Sequence, residues 1–311
     1  MIYSVALLSS DCHWLQEAAG KRQDQGSPAT LFLDGLPYGP CHGAEGECSV
    51  SAKEQSATKG TRLITPVASL QVMTLNVHKG FNVFNRRHIL PELREAVTTL
   101  SADLVFLQEV IGEHQKHAVR FHDWPSVPQY EYLADTLWPD FAYGRNAVYP
   151  HGDHGNALLS HYPILQYDNK DVSIRDTEKR GLLHCQLDVP GHSGVHAVCV
   201  HLGLRQGHRL AQMKLLCELL DTLPDDEPVI VAGDFNDWRR QADHVLTECG
   251  LFEAFVHHYG HPAKSFPARW PLLCLDRIYV RNVSVRNPRA LSRKPWTHLS
   301  DHVPLIAEIC L

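Results

Sequence analysis

The chain has 311 residues, enough for one large or two ordinary domains, and its 44% hydrophobic and 21% charged content is that of a folded globular protein. A formal charge of −6 and a pI near 6.4 exclude a chain-wide basic field that would hold nucleic acid by charge alone, leaving room only for a local patch. No run of residues approaches the ~20 apolar positions of a membrane span. The nine cysteines show neither a CxxC pair nor zinc spacing and are read as mostly free thiols of a reducing compartment. Residues 1–8 lack a basic start and a convincing apolar core, so the expected location is the cytoplasm.

Residues 1–68 are rich in Gly, Ser, Ala and Pro and weakly periodic. They are expected to be a poorly ordered extension with no core of its own, ahead of a folded domain over 69–311. From Ser69 the pattern tightens. Residues 70–77 alternate as a half-buried strand, and 86–100 read as an amphipathic helix with Ile89, Leu93, Ala96, Val97 and Leu100 on one face. Residues 102–109 form a second buried strand that ends on the Glu109 carboxylate. A short helix over 130–138 and a strand starting at Gly155 follow, then strands at 182–187 and 196–202. A second helix spans 209–223 and stops at Pro224. The later elements are a strand at 229–231, a helix at 241–249, and strands at 276–280 and 305–309. Helices and strands alternate early and hairpin-like strand pairs come later, which implies an α/β fold with mixed sheets.

Residues 229–237 are the centre of the pattern. A Val-Ile-Val-Ala run breaks at Gly233, and Asp234 and Asn236 follow one residue apart. If the chain stays extended past the glycine, both side chains leave the strand on one face, where a carboxylate and an amide orient a water or a phosphate oxygen. Other strands also end on polar residues. Asn76 closes the first, Glu109 the second and His201 a later one; Asp276 opens a strand, and Ser300-Asp301-His302 precede the last. Each has an ordinary explanation alone: a turn, a helix N-cap at Asp301, a core histidine at His201. Together they place carboxylates, amides and histidines at one set of strand ends, where sites of α/β proteins collect.

Seven short segments carry a resemblance. They are Leu75-Asn76-Val77, Leu107-Gln108-Glu109, Gly155-Asn156-Ala157-Leu158-Leu159-Ser160, Val200-His201-Leu202, Gly233-Asp234-Phe235-Asn236, Leu275-Asp276-Arg277-Ile278 and Ser300-Asp301-His302. In this order the chain, from about residue 70 to its end, resembles the endonuclease/exonuclease/phosphatase superfamily of DNase I-like nucleases, inositol polyphosphate phosphatases and neutral sphingomyelinases. Residues 76–81 and 143–150 are similar to a bacterial subgroup. The resemblance implies a four-layer sandwich, two mixed β-sheets face to face with helices outside, and phosphoester hydrolysis assisted by Mg²⁺ or Mn²⁺. It further implies Glu109, with Asn76 and Asp301, as the metal set, a choice consistent with the oxygen preference of hard cations. Asp234 beside Asn236 would activate water, His302 would stabilise the phosphoryl charge with Asp276 fixing its ring, and His201 would meet the phosphate from the other side. Asn156, Arg180, His78 and Arg145 are the remaining candidates for substrate contact.

At His78 the chain departs from the pattern, since several family nucleases carry an acid there. The run His151-Gly152-Asp153-His154 is read as a loop bordering the site rather than as a zinc site. Arg86, Arg87, Arg145, Arg205 and Arg209 with Phe81, Phe84, Trp124 and Trp296 fit a nucleic acid or a lipid head group equally well. No obligate protein partner is evident. A nuclease, a phosphatase, a phosphodiesterase acting on a phospholipid-derived substrate, and an inactive binding protein of the same fold are the competing readings.

Overall fold

We describe a computed structural model over residues 69–311, apart from 84–86, 176–177 and 193. The expected extension at 1–68, the start of the helix expected from Arg86, and the substrate-contact candidates Phe84 and Arg86 lie outside the described residues.

The first sheet runs in the order β11 (Ser284–Ala290), β12 (Leu305–Cys310), β1 (Ser69–Asn76), β2 (Leu104–His114), β4 (Gly152–Ser160), β3 (Asp140–Tyr149). The second runs β5 (Ile164–Asp171), β6 (Gly181–Leu187), β7 (Val195–His201), β8 (Val229–Asp234), β10 (Asp276–Arg281), β9 (Phe252–Glu253). Both are mixed. Each has a parallel pair at its centre, β1 with β2 and β7 with β8, and the other pairings are antiparallel. A parallel pair needs a crossover, and a helix supplies it in each sheet: α1 (Leu90–Leu100) after β1 and α4 (Gln206–Leu220) after β7. The remaining helices are α2 (Gln115–Arg120), α3 (Gln129–Ala134), α5 (Gln241–Glu248), α6 (Ala254–Tyr259) and α7 (Trp296–Leu299).

Strand alternation divides the apolar residues among three layers of core. In β1, Leu70 and Val72 face the second sheet, where they meet Leu183, Cys185, Ile230 and Ile278. Met73 and Leu75 face the other way and pack under Leu90, Leu93 and Val97 of α1. On the outer face of the second sheet, Val198, Val200 and Val231 are covered by Met213, Leu216 and Leu220 of α4 and by Leu246 of α5. The result is the four-layer sandwich. Because both faces of the inner strands are buried, these strands read as near-continuous apolar runs.

Several expectations need correction. Strand β2 does not end at Glu109. It continues to His114, and Glu109 sits in a register shift of the β2–β4 pairing with φ +57°. The extra residue of a bulge re-aims a side chain, so Gln108 stays buried between the sheets while Glu109 turns to the strand ends. Strand β4 starts at Gly152, which places Asp153 and His154 in a hairpin strand rather than a loop. The expected 130–138 and 209–223 helices are observed as α3 and α4. The four strands β3, β5, β9 and β11 were not expected from sequence. Finally, Cys217 in α4 and Cys249 after α5 form a disulfide, contrary to the expected free thiols, because the two helices lie side by side over the second sheet. Cys185, Cys199, Cys274 and Cys310 are free.

Candidate active site

The carboxyl ends of both central parallel pairs open at the same end of the sandwich. In the first sheet Asn76 lies opposite Gln108, one residue before Glu109; in the second, His201 lies opposite Asp234. Asp234 is the meeting point. Its Oδ2 accepts from Asn76 Nδ2 at 3.2 Å and lies 3.6 Å from His201 Nε2 and 3.8 Å from His302 Nε2. Its Oδ1 accepts from the Asn236 backbone N–H at 2.9 Å. The extended continuation past Gly233 is therefore not what happens. Asn236 has φ +50°, and a tight turn brings it back so that its amide donates to Leu202 O at 2.9 Å. Gly233, at φ +150°, is required by contact: a Cβ there would stand 1.9 Å from Val200 O of the neighbouring strand.

His302 comes from the loop before β12. Its Nδ1 is 2.8 Å from Asp276 Oδ2 at the start of β10. Burial opposes charge on this ring, but Asp276 and Asp234 outweigh it and hold its pKa well above the ordinary value, so His302 is an imidazolium. His201 goes the other way. Burial and the nearby Arg180 guanidinium push it down to about 3, leaving a neutral ring. The Asp234 carboxyl is raised, first by burial, with Asp276 adding repulsion. Glu109 is lowered well below the usual carboxylate range: desolvation resists ionisation, and the Lys79 ammonium at 2.9 Å overcomes it.

Asp301 lies on the Asn76 side, 3.7 Å from His78 Nε2, and Ser300 Oγ ties that loop down by donating to Asn76 O at 2.6 Å. His78 is buried in a short 3-10 turn that also presents Lys79. Arg180 donates from Nε to Leu202 O at 3.2 Å, beside His201. Asn156 uses its amide hydrogens on Gly181 O and Cys199 O, at 3.0 and 3.2 Å, so it clamps the first sheet to the second. Arg145 is exposed on edge strand β3, opposite Gly155 of β4. Lys79 and His154 are absent from the sequence-predicted set. His154, half-buried and pushed down to about 4, shares the field of Glu109, Lys79 and Arg180. A lysine in the Asn76-Val77-His78-Lys79-Gly80 run is the signal that would have found Lys79.

The donor set fits a hard cation. Glu109 and Asp301 offer carboxylate oxygens. Asn76 turns Nδ2 toward Glu109 at 3.5 Å while its Oδ1 accepts from the His78 N–H at 3.0 Å, so it offers an oxygen once its amide turns over. The Lys79 ammonium shows that a positive charge is favoured against Glu109. Asp234, Asp276 and His302 also bring three ligand atoms within 4.8 Å of one another. That trio is held together by the charge-assisted bond between His302 and Asp276, whose second oxygen, Oδ1, is buried without a partner.

The family model described as Endonuclease/Exonuclease/phosphatase family matches residues 73–302. The chain belongs to this family. Its members are hydrolases acting on phosphoester bonds, and they commonly use divalent metal ions. The chain is 58% identical over 246 residues to the uncharacterised protein YbhP of Escherichia coli K12, covering 78% of this chain and 97% of the relative. Among solved structures, an endonuclease/exonuclease/phosphatase from Beutenbergia cavernae matches with a TM-score of 0.62 at 20% identity, over 78% of this chain and 72% of that one. The zebrafish TDP2 complexed with a single-strand DNA product matches with a TM-score of 0.60 at 18% identity, over 78% of this chain and all of the other. At these identities the structural matches establish the endonuclease/exonuclease/phosphatase fold. Among the described residues no helix is long and apolar enough to cross a membrane.

Proposed function

We propose that the chain is a metal-dependent phosphodiesterase in which Asp234 activates the attacking water. The observation that carries this reading is the convergence on Asp234 Oδ2 of groups from both sheets, Asn76, His201 and His302, within 3.2 to 3.8 Å. Oδ1 accepts from the Asn236 N–H and Oδ2 from Asn76 Nδ2, which fix the carboxylate, and its raised pKa strengthens it as a proton acceptor. A water held there loses its proton to Asp234 as its oxygen bonds to phosphorus and the ester oxygen departs. The His302 imidazolium, aligned by Asp276, donates from Nε2 to a non-bridging oxygen. Neutral His201 donates from the opposite side, and Arg180 adds positive charge near the diester. Asn156 fixes the two sheets on which these groups stand.

Glu109, Asn76 and Asp301 would hold Mg²⁺ or Mn²⁺, with His78 behind Asp301. Such an ion, when bound, polarises the phosphoryl group and offsets charge on the leaving oxygen. The presence of Glu109, Asp234, Asp276, Asp301 and His302 together argues against an inactive binding protein. The direct test is hydrolysis of bis-p-nitrophenyl phosphate, its monoester and plasmid DNA with Mg²⁺, Mn²⁺ or EDTA. Turnover that needs the metal and disappears in Asp234→Ala is the expected result, and the preferred ester selects among diesterase, phosphatase and nuclease. A folded protein that binds Mn²⁺ and cleaves none of these would turn the reading toward a lipid-derived diester; one that neither binds metal nor cleaves would overturn it.

A further inference from the structure

A cavity of about 980 Å³, lined in part by Cys274 two residues before Asp276, carries one sign of charge. Arg240, Lys264, Arg289, Arg293 and Lys294 line it, and among the described residues no Asp or Glu does. Arg240 is paired with Asp243 at 3.0 Å; the other four form no ion pair with a carboxylate among the described residues. The floor is apolar, built from Phe255, Tyr259, Leu291 and Trp296. In a chain whose net charge is −6, a concentration of exposed, unpaired cations over an apolar floor is not explained by folding.

The cavity and the site share one hairpin, closed by Ser265 N–H to Leu273 O at 2.9 Å and Leu273 N–H to Phe266 O at 2.8 Å. Its base residues, Lys264 and Cys274, line the cavity. Its other flank carries Phe266, whose ring centroid is 5.0 Å from that of His302, and Ala268, whose N–H donates to Asp301 O at 2.7 Å. Its tip exposes Trp270 at 75%, Leu272 at 61% and Leu273 at 39%. Three large exposed apolar side chains on a hairpin whose base lines a cluster of unpaired cations match the two layers of a membrane interface: acyl chains beneath anionic head groups.

We propose that the cavity and the hairpin tip form a docking surface for an anionic phospholipid bilayer. Head-group phosphates enter the basic cavity while Trp270, Leu272 and Leu273 insert beside them. A nucleic acid fits less well, because two of the three tip residues are aliphatic and present no ring face on which a base stacks. Docking there brings the hairpin, and with it the loop that holds His302, against the lipid surface. The inference concerns binding alone and stands apart from the hydrolysis reading.

The test is sedimentation of the full chain with phosphatidylglycerol–phosphatidylethanolamine vesicles and with phosphatidylcholine vesicles, at low and high salt. Retention on the anionic vesicles only, released by salt, is expected. Arg293→Glu with Lys294→Glu changes four units of charge and should weaken retention by roughly 600-fold, at about fivefold per unit near an anionic surface. Trp270→Ser with Leu272→Ser, at exposed positions, should also release the protein from vesicles. Near-ultraviolet circular dichroism identical to the parent shows that neither variant has lost its fold. Equal retention on phosphatidylcholine, or retention unchanged in both variants, would overturn the proposal. So would absence of vesicle binding together with duplex-DNA retention that Arg293→Glu with Lys294→Glu abolishes, which would assign the surface to nucleic acid.

Discussion

The two halves of the molecule are built alike and charged differently. Each centres on a strand–helix–strand unit whose parallel strands end at the candidate site, and each of these parallel pairs brings one carboxylate there, Glu109 from β2 and Asp234 from β8. Glu109 keeps 19% of its side chain exposed and sits against Lys79, which holds it ionised. Asp234 keeps 2% exposed, has no lysine or arginine bonded to it, and is pushed toward its neutral form by burial. The same scaffold thus yields one carboxylate suited to a cation and another suited to taking a proton. Two like groups whose surroundings drive their pKa values apart mark a division of labour.

Substitution at the two carboxylates is the strongest way to break this comparison. Asp234→Asn removes the proton acceptor and should lower kcat by about 10³-fold with little effect on metal affinity. Glu109→Gln should cost about 10²-fold at moderate Mn²⁺, with much of the activity recovered as Mn²⁺ is raised. Titrating Mn²⁺ against rate in both variants separates them. Recovery of Asp234→Asn by metal, or none for Glu109→Gln, would reverse the roles.

The pH response sharpens the same contrast. Activity should rise as Asp234 ionises, above the ordinary carboxylate range, and fall when the His302 imidazolium deprotonates, well above the ordinary histidine range. Asp276→Asn keeps a hydrogen-bonding partner for the ring but removes its charge, so the alkaline limb should move to lower pH. Stability has its own sign. A raised His302 contributes fully below the unfolded pKa of about 6.5 and loses that contribution as pH rises through the folded pKa, so Asp276→Asn should destabilise most just below about pH 6.5 and least in alkali. His201, at about 3, and His154 and His184, at about 4, are held neutral by burial. The unfolded chain takes up protons on them first, so they withdraw stability between about pH 6.5 and 4. Glu253, raised to about 7 by burial, acts in the opposite sense, favouring the fold at acid pH and losing that effect as pH rises toward 7. With His117 also lowered to about 4, four histidines outweigh the two raised carboxyls, Glu253 and Asp234, and urea midpoints should decline across the acid window. A flat profile there would mean that the histidines are already charged in the folded state.

What sequence made legible follows the layers. The eight inner strands, buried on both faces, announce themselves as apolar runs. The four that were not legible, β3, β5, β9 and β11, are the four sheet edges. In β5, Leu165, Gln166, Tyr167 and Asp168 are exposed in succession, and β11 carries a proline and a register shift, so neither alternates. At the site, residues at strand ends were legible as polar breaks: Asn76, His201, Asp234, Asp276. The bulge at Glu109 and the turn at Asn236 were not, because positive φ at a non-glycine residue is imposed by tertiary contacts and leaves no compositional mark. Lys79 was missed for a related reason. Its role is set by a glutamate 30 residues away, which no local pattern reveals.

The mildest test of the comparison concerns the helices that cover the second half. Cys217 and Cys249 close a 32-residue separation between α4 and the end of α5, outside the sheet and away from the strand ends. A loop of that size constrains the unfolded chain by about 3 to 4 kcal/mol in the chain-entropy view. Cys217→Ser with Cys249→Ser should therefore lower the unfolding free energy by up to this amount and leave kcat within about twofold, since neither sulfur touches a candidate site residue. The buried thiols Cys185 and Cys199 should be unmoved by the change: burial pushes Cys199 up to about 12, and Cys185 is raised as well, so both stay protonated and unreactive until the fold opens. Thiol labelling under native conditions, with and without reductant, reads both effects in one experiment. Reductant should add Cys217 and Cys249 to the labelled set without exposing Cys185 or Cys199. Exposure of those two would mean that the bond between the helices holds the second half itself together, and the halves would differ in what stabilises them as well as in what they do.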